Sequence, residues 1–228
     1  MCGRLSQYTG LHEFVDALSM PNALVNLIGA QAERYNVAPS TQVTTLRLEG
    51  DALVAQSIKW GWRPGWARDR AAPINARAEN VAHGRFFSAA WHHRALCPVS
   101  GWFEWVAEGG ARKQPYHIQH ADGSPVLCAA IGQFPGLEDE QAEQHGFVII
   151  TADSAGGMVD IHDRRPVVLP PELAREWIDP ATTPERAEQI VLHQGEQSES
   201  FRWYAVDPAV GNVRNQGPQL IEPHRSAS

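Results

Sequence analysis

The chain has 228 residues, of which 43% are hydrophobic and 20% are charged; these values are close to the globular average and exclude a disordered, collagenous or coiled-coil protein. The formal net charge is −7, which argues against a protein held to nucleic acid by bulk charge. The charge is unevenly spread: residues 1–105 carry 10 basic and 8 acidic residues, whereas residues 106–228 carry 9 and 18. An acidic average can therefore hide a local basic groove. No apolar stretch is long enough to span a membrane, and the first residues lack the pattern of a signal peptide, so we expect a cytoplasmic protein.

The first predicted element is a helix, because Leu11, Phe14, Val15 and Leu18 recur at helical spacing behind Thr9 as N-cap. The next is a hairpin over residues 43–48 and 52–60. Short apolar runs then predict strands over residues 94–99, 102–106, 116–120, 126–134 and 147–151, with turns at 49–51, 108–110 and 121–124 and an acidic loop at 138–143.

Two helices end the pattern, over residues 171–178 and 184–193, each with proline at its first position and the second capped by Thr183. Residues 218–228 are short and polar, and we expect a frayed tail. No repeat, linker or change in composition divides the chain. The sequence therefore predicts a single α+β domain around a curved, mostly antiparallel sheet.

The cysteines are Cys2, Cys97 and Cys128, an odd number with wide spacing that argues against a disulfide framework, and no pattern of metal ligands accompanies them. Removal of Met1 would make Cys2 a 1,2-aminothiol, which traps an aldehyde as an imine through its amine and then as a thiazolidine through its thiol. The alternative is a small residue in a frayed terminus. Cys97 and Cys128 lie in apolar runs, and we expect them in the core.

Two polar segments suggest catalysis. Asn75, Arg77 and Glu79 alternate, so they would share one face of a strand; the alternative is an edge strand with a solvated face. Glu104 lies among the aromatics of residues 101–105, a setting that would raise its pKa as a general acid–base group requires. The alternative is a surface glutamate between rings that face the core.

Two further segments suggest contacts to a nucleic acid. Residues 160–166 offer His162 for proton transfer beside two arginines suited to phosphate, although a histidine in a loop can also be structural or solvated. Residues 60–66 hold three indoles with glycine and proline between them, which suits a platform for unpaired bases. The alternative is a loop folded over the core.

Seven segments together resemble the SOS-response-associated peptidase (SRAP) family: residues 1–4, 34–39, 60–66, 75–79, 101–105, 161–166 and 211–215. They follow the family's order and extend over residues 2 to about 217. One departure is Arg165, where many members have methionine. The resemblance implies a domain over residues 1–217 with a flexible tail at 218–228, and a bifurcated, barrel-like sheet surrounded by helices.

The same resemblance implies an enzyme that senses abasic sites in single-stranded DNA and shields them from cleavage. Cys2 would form the thiazolidine crosslink, Asn75 would orient the terminus and the sugar, Glu104 would assist proton transfer, and His162 would promote opening of the sugar ring. The implied DNA contacts are Arg4, Arg77 and Arg164 to phosphates and Trp66 by stacking. We expect a monomer that requires no cofactor or metal, binds single-stranded DNA with abasic sites and no membrane, and associates with the nucleoid when bound.

Two rival functions remain open at this point. Cys2 and His162, with Asn75 or Glu104, could form a thiol peptidase whose clearest reaction would be removal of Met1 from its own chain. Alternatively, the indoles of residues 60–66 and the nearby arginines could bind single strands without any chemistry.

Overall fold

The computed structural model describes residues 2–29, 32–108, 113–136 and 145–224. The helices of this part of the chain are α1 (Leu11–Leu18), α2 (Ala78–Val81), α3 (Ser88–Trp91), α4 (Pro171–Ile178) and α5 (Pro184–His193). The strands are β1 (Leu5–Gln7), β2 (Ala23–Asn26), β3 (Arg34–Val37), β4 (Gln42–Glu49), β5 (Ala52–Lys59), β6 (Asn75–Arg77), β7 (Arg94–Val99), β8 (Gly101–Val106), β9 (Gln114–His120), β10 (Val126–Gln133), β11 (Gly146–Asp153), β12 (Arg164–Pro166) and β13 (Phe201–Ala205). None of these helices is both long and apolar enough to cross a membrane.

Two sheets of mostly antiparallel strands form the centre of the molecule. The smaller runs β13–β9–β8–β1–β3 and the larger β12–β11–β10–β7–β4–β5–β2, with β6 added parallel to β11. Strand β7 ends in the larger sheet and β8 begins in the smaller one, so the chain passes between them at Ser100. The predicted α+β domain with a curved, bifurcated sheet is confirmed; the sheets are curled and, over the described strands, do not close into a barrel.

The larger sheet is buried on both faces. Leu96 and Ile150 point into a cluster shared with α1, α4 and α5, whereas their neighbours Cys97 and Ile149 point into a second cluster under the smaller sheet. Because successive side chains of a strand point to opposite faces, both sets of positions must be apolar. This explains why these strands appear in the sequence as continuous apolar runs.

Most of the predicted elements are confirmed. The hairpin is β4–β5, and its two-residue loop contains Gly50 at φ +56°, the left-handed backbone that tight hairpin turns require. The five predicted strands correspond to β7–β11, and both predicted helices occur as α4 and α5. Thr183 Oγ1 accepts the N–H of Arg186 at 3.2 Å and so caps α5. The acidic loop at 138–143, and residues 109–110 of a predicted turn, lie outside the described residues.

The prediction of Thr9 as N-cap was wrong. Gly10 is the cap of α1, and its N–H donates to a carboxylate oxygen of Glu13 at 3.2 Å. The hydroxyl of Thr9 instead lies 2.7 Å from that of Ser100. This contact fastens the start of α1 to the connection between the two sheets.

The expectation of a frayed tail does not hold for residues 218–224. Pro218–Ile221 is a 3-10 helix, and Leu220 is buried beside Phe103 and Val206. The N–H of His224 donates to the carbonyl of Ala205 at 2.7 Å. Leu220 and the partly buried Ile221 dock this segment against the cluster, and the last four residues lie outside the described part of the chain.

Candidate active site

The first residues of the chain lie between β6 and β8. The N–H of Phe103 donates to the carbonyl of Arg4 at 3.0 Å, which extends the pairing of β1 with β8 toward the terminus. From the other side, the side-chain amide of Asn75 donates to the carbonyl of Cys2 at 2.8 Å. The two contacts fix the backbone of Cys2 between the strand that carries Asn75 and the strand that carries Glu104.

Cys2 is fully buried and shares its cluster with Cys97 and Cys128, which confirms the expectation that the latter two are core residues. Burial raises the pKa of the Cys2 thiol, and the negative charge of Glu104 raises it further. The resting form at neutral pH is therefore the thiol, so a reaction of the sulfur needs a neighbouring base.

Glu104 is an acid–base group close enough to this thiol to raise its pKa. It is 3% exposed on β8, and the rings of its sequence neighbours Phe103 and Trp105 belong to the opposite face of the strand. Burial raises its pKa to about 7, as expected from the aromatics around it. At neutral pH both the protonated and the ionised carboxyl are populated, so Glu104 can donate and accept protons.

His162 follows a 3-10 helix at Gly156–Asp160, and its own N–H donates to the carbonyl of Met158 at 3.0 Å. Its Nδ1 accepts the N–H of Arg164 at 3.0 Å and also lies 2.6 Å from a carboxylate oxygen of Asp163. A neutral ring accepts from Arg164 and carries its proton on Nε2, whereas a protonated ring donates to Asp163. Burial lowers the pKa of His162, so the form with a proton on Nε2 prevails at neutral pH.

The expectation that Asn75, Arg77 and Glu79 share one face of a strand was wrong for Glu79. Asn75 and Arg77 lie on β6 and share a face, but α2 begins at Ala78, and Glu79 belongs to its first turn. The backbone turns into a helix there, so Glu79 faces β12. Its carboxylate oxygens accept from Nη1 of Arg164 at 2.9 Å and from Nη2 at 3.1 Å.

Of the candidate phosphate ligands, Arg77 is exposed, but two others hold protein partners. Arg164 is buried against Glu79, Asp153 and the carbonyl of Thr151. Arg4 donates from Nη1 to Asn36 Oδ1 at 2.6 Å and to the carbonyl of Val210 at 2.8 Å. The sequence offered no sign of these pairings, because every partner lies on another element, between 11 and 206 residues away.

The interpretation of three indoles as one base-stacking platform was wrong. Trp60 and Trp62 are buried, and their Nε1 atoms donate to the carbonyl of Ile74 at 2.9 Å and to Gln133 Oε1 at 3.2 Å. Trp66 alone of the three is exposed, at 56%. Its ring lies under the guanidinium of Arg85, 5.0 Å from the centroid, and can offer its remaining surface to a base.

Two residues that position the site were not predicted, Asn36 and Asp163. Asn36 is 2% exposed, accepts from Arg4, and donates from Nδ2 to carbonyls of residues 210, 212 and 215 at 3.0 to 3.1 Å. It lies in segment 34–39 and its partners lie in or beside segment 211–215, and no local sequence pattern connects these two segments. Among the described residues, no cluster of three or more His, Cys, Asp or Glu side chains could hold a metal.

Comparison with known proteins gives consistent results. The sequence model of the family described as SOS response associated peptidase (SRAP) matches residues 1–213. The chain is 43% identical over 227 residues to the abasic site processing protein YedK of Escherichia coli (strain K12), covering 98% of this chain and 100% of that protein. It is 24% identical over 275 residues to the abasic site processing protein HMCES of Rattus norvegicus, covering 98% of this chain and 76% of that protein. Among solved structures, a phage-related protein of Bordetella bronchiseptica superposes with a TM-score of 0.76 at 39% identity, covering 90% of this chain and 94% of that one.

Proposed function

Because this chain belongs to the SOS response associated peptidase (SRAP) family, with abasic site processing proteins among its relatives, we propose that it forms a thiazolidine crosslink between Cys2 and abasic sites in single-stranded DNA. The ring-opened deoxyribose at such a site carries an aldehyde at C1′. An N-terminal cysteine carries the two nucleophiles that close a thiazolidine on that carbon. The adduct shields the strand from cleavage.

The placement of Cys2 supports this proposal most directly. Asn75 holds its carbonyl at 2.8 Å, and Glu104 lies close enough to raise the pKa of its thiol. A terminus fixed in this way keeps amine and sulfur at one point, which raises their effective concentration toward a bound aldehyde.

The first stage forms an imine. Hydrolysis of the bond between Met1 and Cys2 frees the α-amine, whose reference pKa of about 7.7–8.0 leaves part of it neutral at physiological pH. The protonated ring of His162 donates from Nε2 to the sugar ring oxygen, the C1′ hydroxyl gives its proton to solvent, and the sugar opens to the aldehyde; solvent then returns a proton to the ring of His162. The amine nitrogen adds to C1′, and Glu104 transfers the protons that allow one water to leave.

The second stage closes the ring. The sulfur of Cys2 adds to C1′ of the imine, a carbon–sulfur bond forms, and the thiol proton passes through Glu104 to the nitrogen. The net change is loss of one water, with no oxidant or reductant. An imine at C1′ acidifies the protons at C2′ and would favour strand scission by β-elimination, so closure removes the species that threatens the strand.

Arg77 and Trp66 are the proposed direct DNA contacts, because both are exposed. Arg4 and Arg164 would reach a phosphate only by releasing the partners that now hold them. We assign them mainly to positioning: Arg4 fastens the N-terminal segment to Asn36, and the backbone of Arg164 orients His162.

The two rival functions fit the site less well. A thiol peptidase needs a cysteine whose pKa is lowered, whereas burial raises that of Cys2. A passive binding module would need the three indoles on the surface, and two of them are core residues. Removal of Met1 from its own chain stays compatible with the proposed chemistry.

The deciding experiment mixes the protein with single-stranded DNA that carries one abasic site and resolves the products on a denaturing gel. A heat-stable shifted band is expected for the wild type. Cys2→Ala should give no such band but should be trapped by borohydride, because its amine still forms the imine. Cys128→Ala is the matched control and should crosslink normally. Peptide cleavage without a band would favour the peptidase, and binding lost on denaturation would favour the passive module.

A further inference from the structure

A basic cavity is lined in part by the segment that leads into β6, the strand that carries Asn75. It has a volume of about 640 Å³, within the range of small-ligand sites. Its cationic wall comes from Lys59 at the end of β5, Arg63 and Arg68, all with exposed side chains. None of the described residues that line the cavity is acidic.

Two residues of the wall, His145 and Arg63, differ in how their polar groups are satisfied. Nδ1 of His145 is buried and has no hydrogen-bond partner among the described residues. The guanidinium of Arg63 is held by the carbonyl of Arg70, which fixes its position at the cavity. Three basic side chains, with no acidic side chain among the described lining residues, favour an anionic ligand.

Two hydrogen bonds connect this cavity with the candidate active site. Ser40, which lines it, donates from its N–H to the carbonyl of Trp60 at 2.8 Å. Trp60 donates from Nε1 to the carbonyl of Ile74, the residue before Asn75. Ala72, also in the wall, is three residues before Asn75, a reach of about 10 Å along an extended chain.

We propose that this cavity binds the phosphodiester backbone of the DNA strand on one side of the abasic site, with Lys59, Arg63 and Arg68 on its phosphates. The inference rests on the proposed function. At about 3.4 Å per stacked nucleotide, the contact falls within about three nucleotides of the lesion. The exposed ring of Trp66 follows directly after Gly65 of the wall, where a base of the same strand can stack.

The test compares the wild type with the triple variant Lys59→Ala/Arg63→Ala/Arg68→Ala. Fluorescence anisotropy with intact single-stranded DNA should show a Kd raised roughly tenfold or more, since bonds to charged groups are lost. The slope of log K against log salt should fall in magnitude by up to about 2 for three lost phosphate contacts. Arg186→Gln removes one surface charge from α5 and is the control; it should leave both values unchanged.

Crosslinking gives the second readout, with oligonucleotides trimmed on either side of the abasic site. The wild type should slow when one flank falls below about three nucleotides, and the triple variant should be slow already and insensitive to that flank. Equal salt slopes for the two proteins, or wild-type rates indifferent to both flanks, would overturn the assignment. If a free nucleoside monophosphate displaces the DNA, and the crosslinking rate does not depend on the length of either flank, the cavity binds a free nucleotide instead. If the wild type forms no adduct, the proposed function fails, while the anisotropy comparison still decides the cavity.

Discussion

Glu104→Gln should make the protein more stable at alkaline pH and slower in crosslinking. The carboxyl has a pKa of about 7 in the folded protein because it is buried, against an ordinary value of 4.5. The unfolded chain therefore releases this proton at lower pH than the folded protein does. Stability falls as the pH rises from about 4.5 and levels off above 7.

The size of the effect follows from the two pKa values. Their difference corresponds to about 3 kcal/mol above pH 7, and to less than about 1 kcal/mol at pH 5. Glutamine has nearly the same shape and no charge, so Glu104→Gln should unfold with about 3 kcal/mol more free energy than the wild type at pH 8. For a chain of this length the melting temperature should rise by about 6–12 °C.

Urea unfolding of both proteins at pH 5 and pH 8 measures this difference. The exposed Glu222→Gln is the control and should change stability at neither pH. If Glu104→Gln is no more stable than the wild type at pH 8, or gains as much at pH 5, burial does not hold the carboxyl near neutrality. Its role as a proton shuttle would then lose its physical basis.

Three further outcomes are expected. Duplex DNA with an abasic site should crosslink much more slowly than a single strand, because paired bases cannot stack on Trp66 at about 1–3 kcal/mol per base; equal rates in a time course would remove that contact. His162→Ala should slow crosslinking by a factor of roughly 10²–10⁴ without abolishing it, and Asp163→Asn should slow it less. Gel kinetics at several pH values measure both rates, and wild-type rates in both variants would show that these residues take no part in the reaction. Asn36→Ala should cost about 3 kcal/mol in urea unfolding, because the carbonyls of residues 212 and 215 lose this donor and Arg4 loses one of its two acceptors; an unchanged midpoint would contradict its role as the anchor of residues 210–215.

The elements that the sequence predicted best are those with a local signal. The hairpin, α4 and α5 follow from turn glycines, caps and apolar spacing within a dozen residues. Glu104 was predicted from the aromatic run around it, and the structure does bury it, although its direct neighbours Phe103 and Trp105 belong to the opposite face of β8.

The sequence could not show contacts between distant segments. Asn36 lies on β3, and its carbonyl partners follow more than 170 residues later. Arg164 was expected to bind phosphate, because a guanidinium in a loop is suited to that role. In the structure it binds Glu79 instead. The two residues meet only because β6, which precedes Glu79, and β12, which carries Arg164, both pair with β11. Likewise, an irregular run of Trp, Gly and Pro does not reveal which indoles point inward.

The most direct test of the proposed aminothiol chemistry compares the mature protein with one that carries an N-terminal extension before an intact Cys2. Both are incubated with single-stranded DNA containing one abasic site, and the intact mass of any adduct is measured. The mature protein should give the summed mass less one water, and the extended protein should give no adduct, with or without borohydride. An extended protein that crosslinks at the wild-type rate would contradict the mechanism and leave a simple thiol nucleophile in its place.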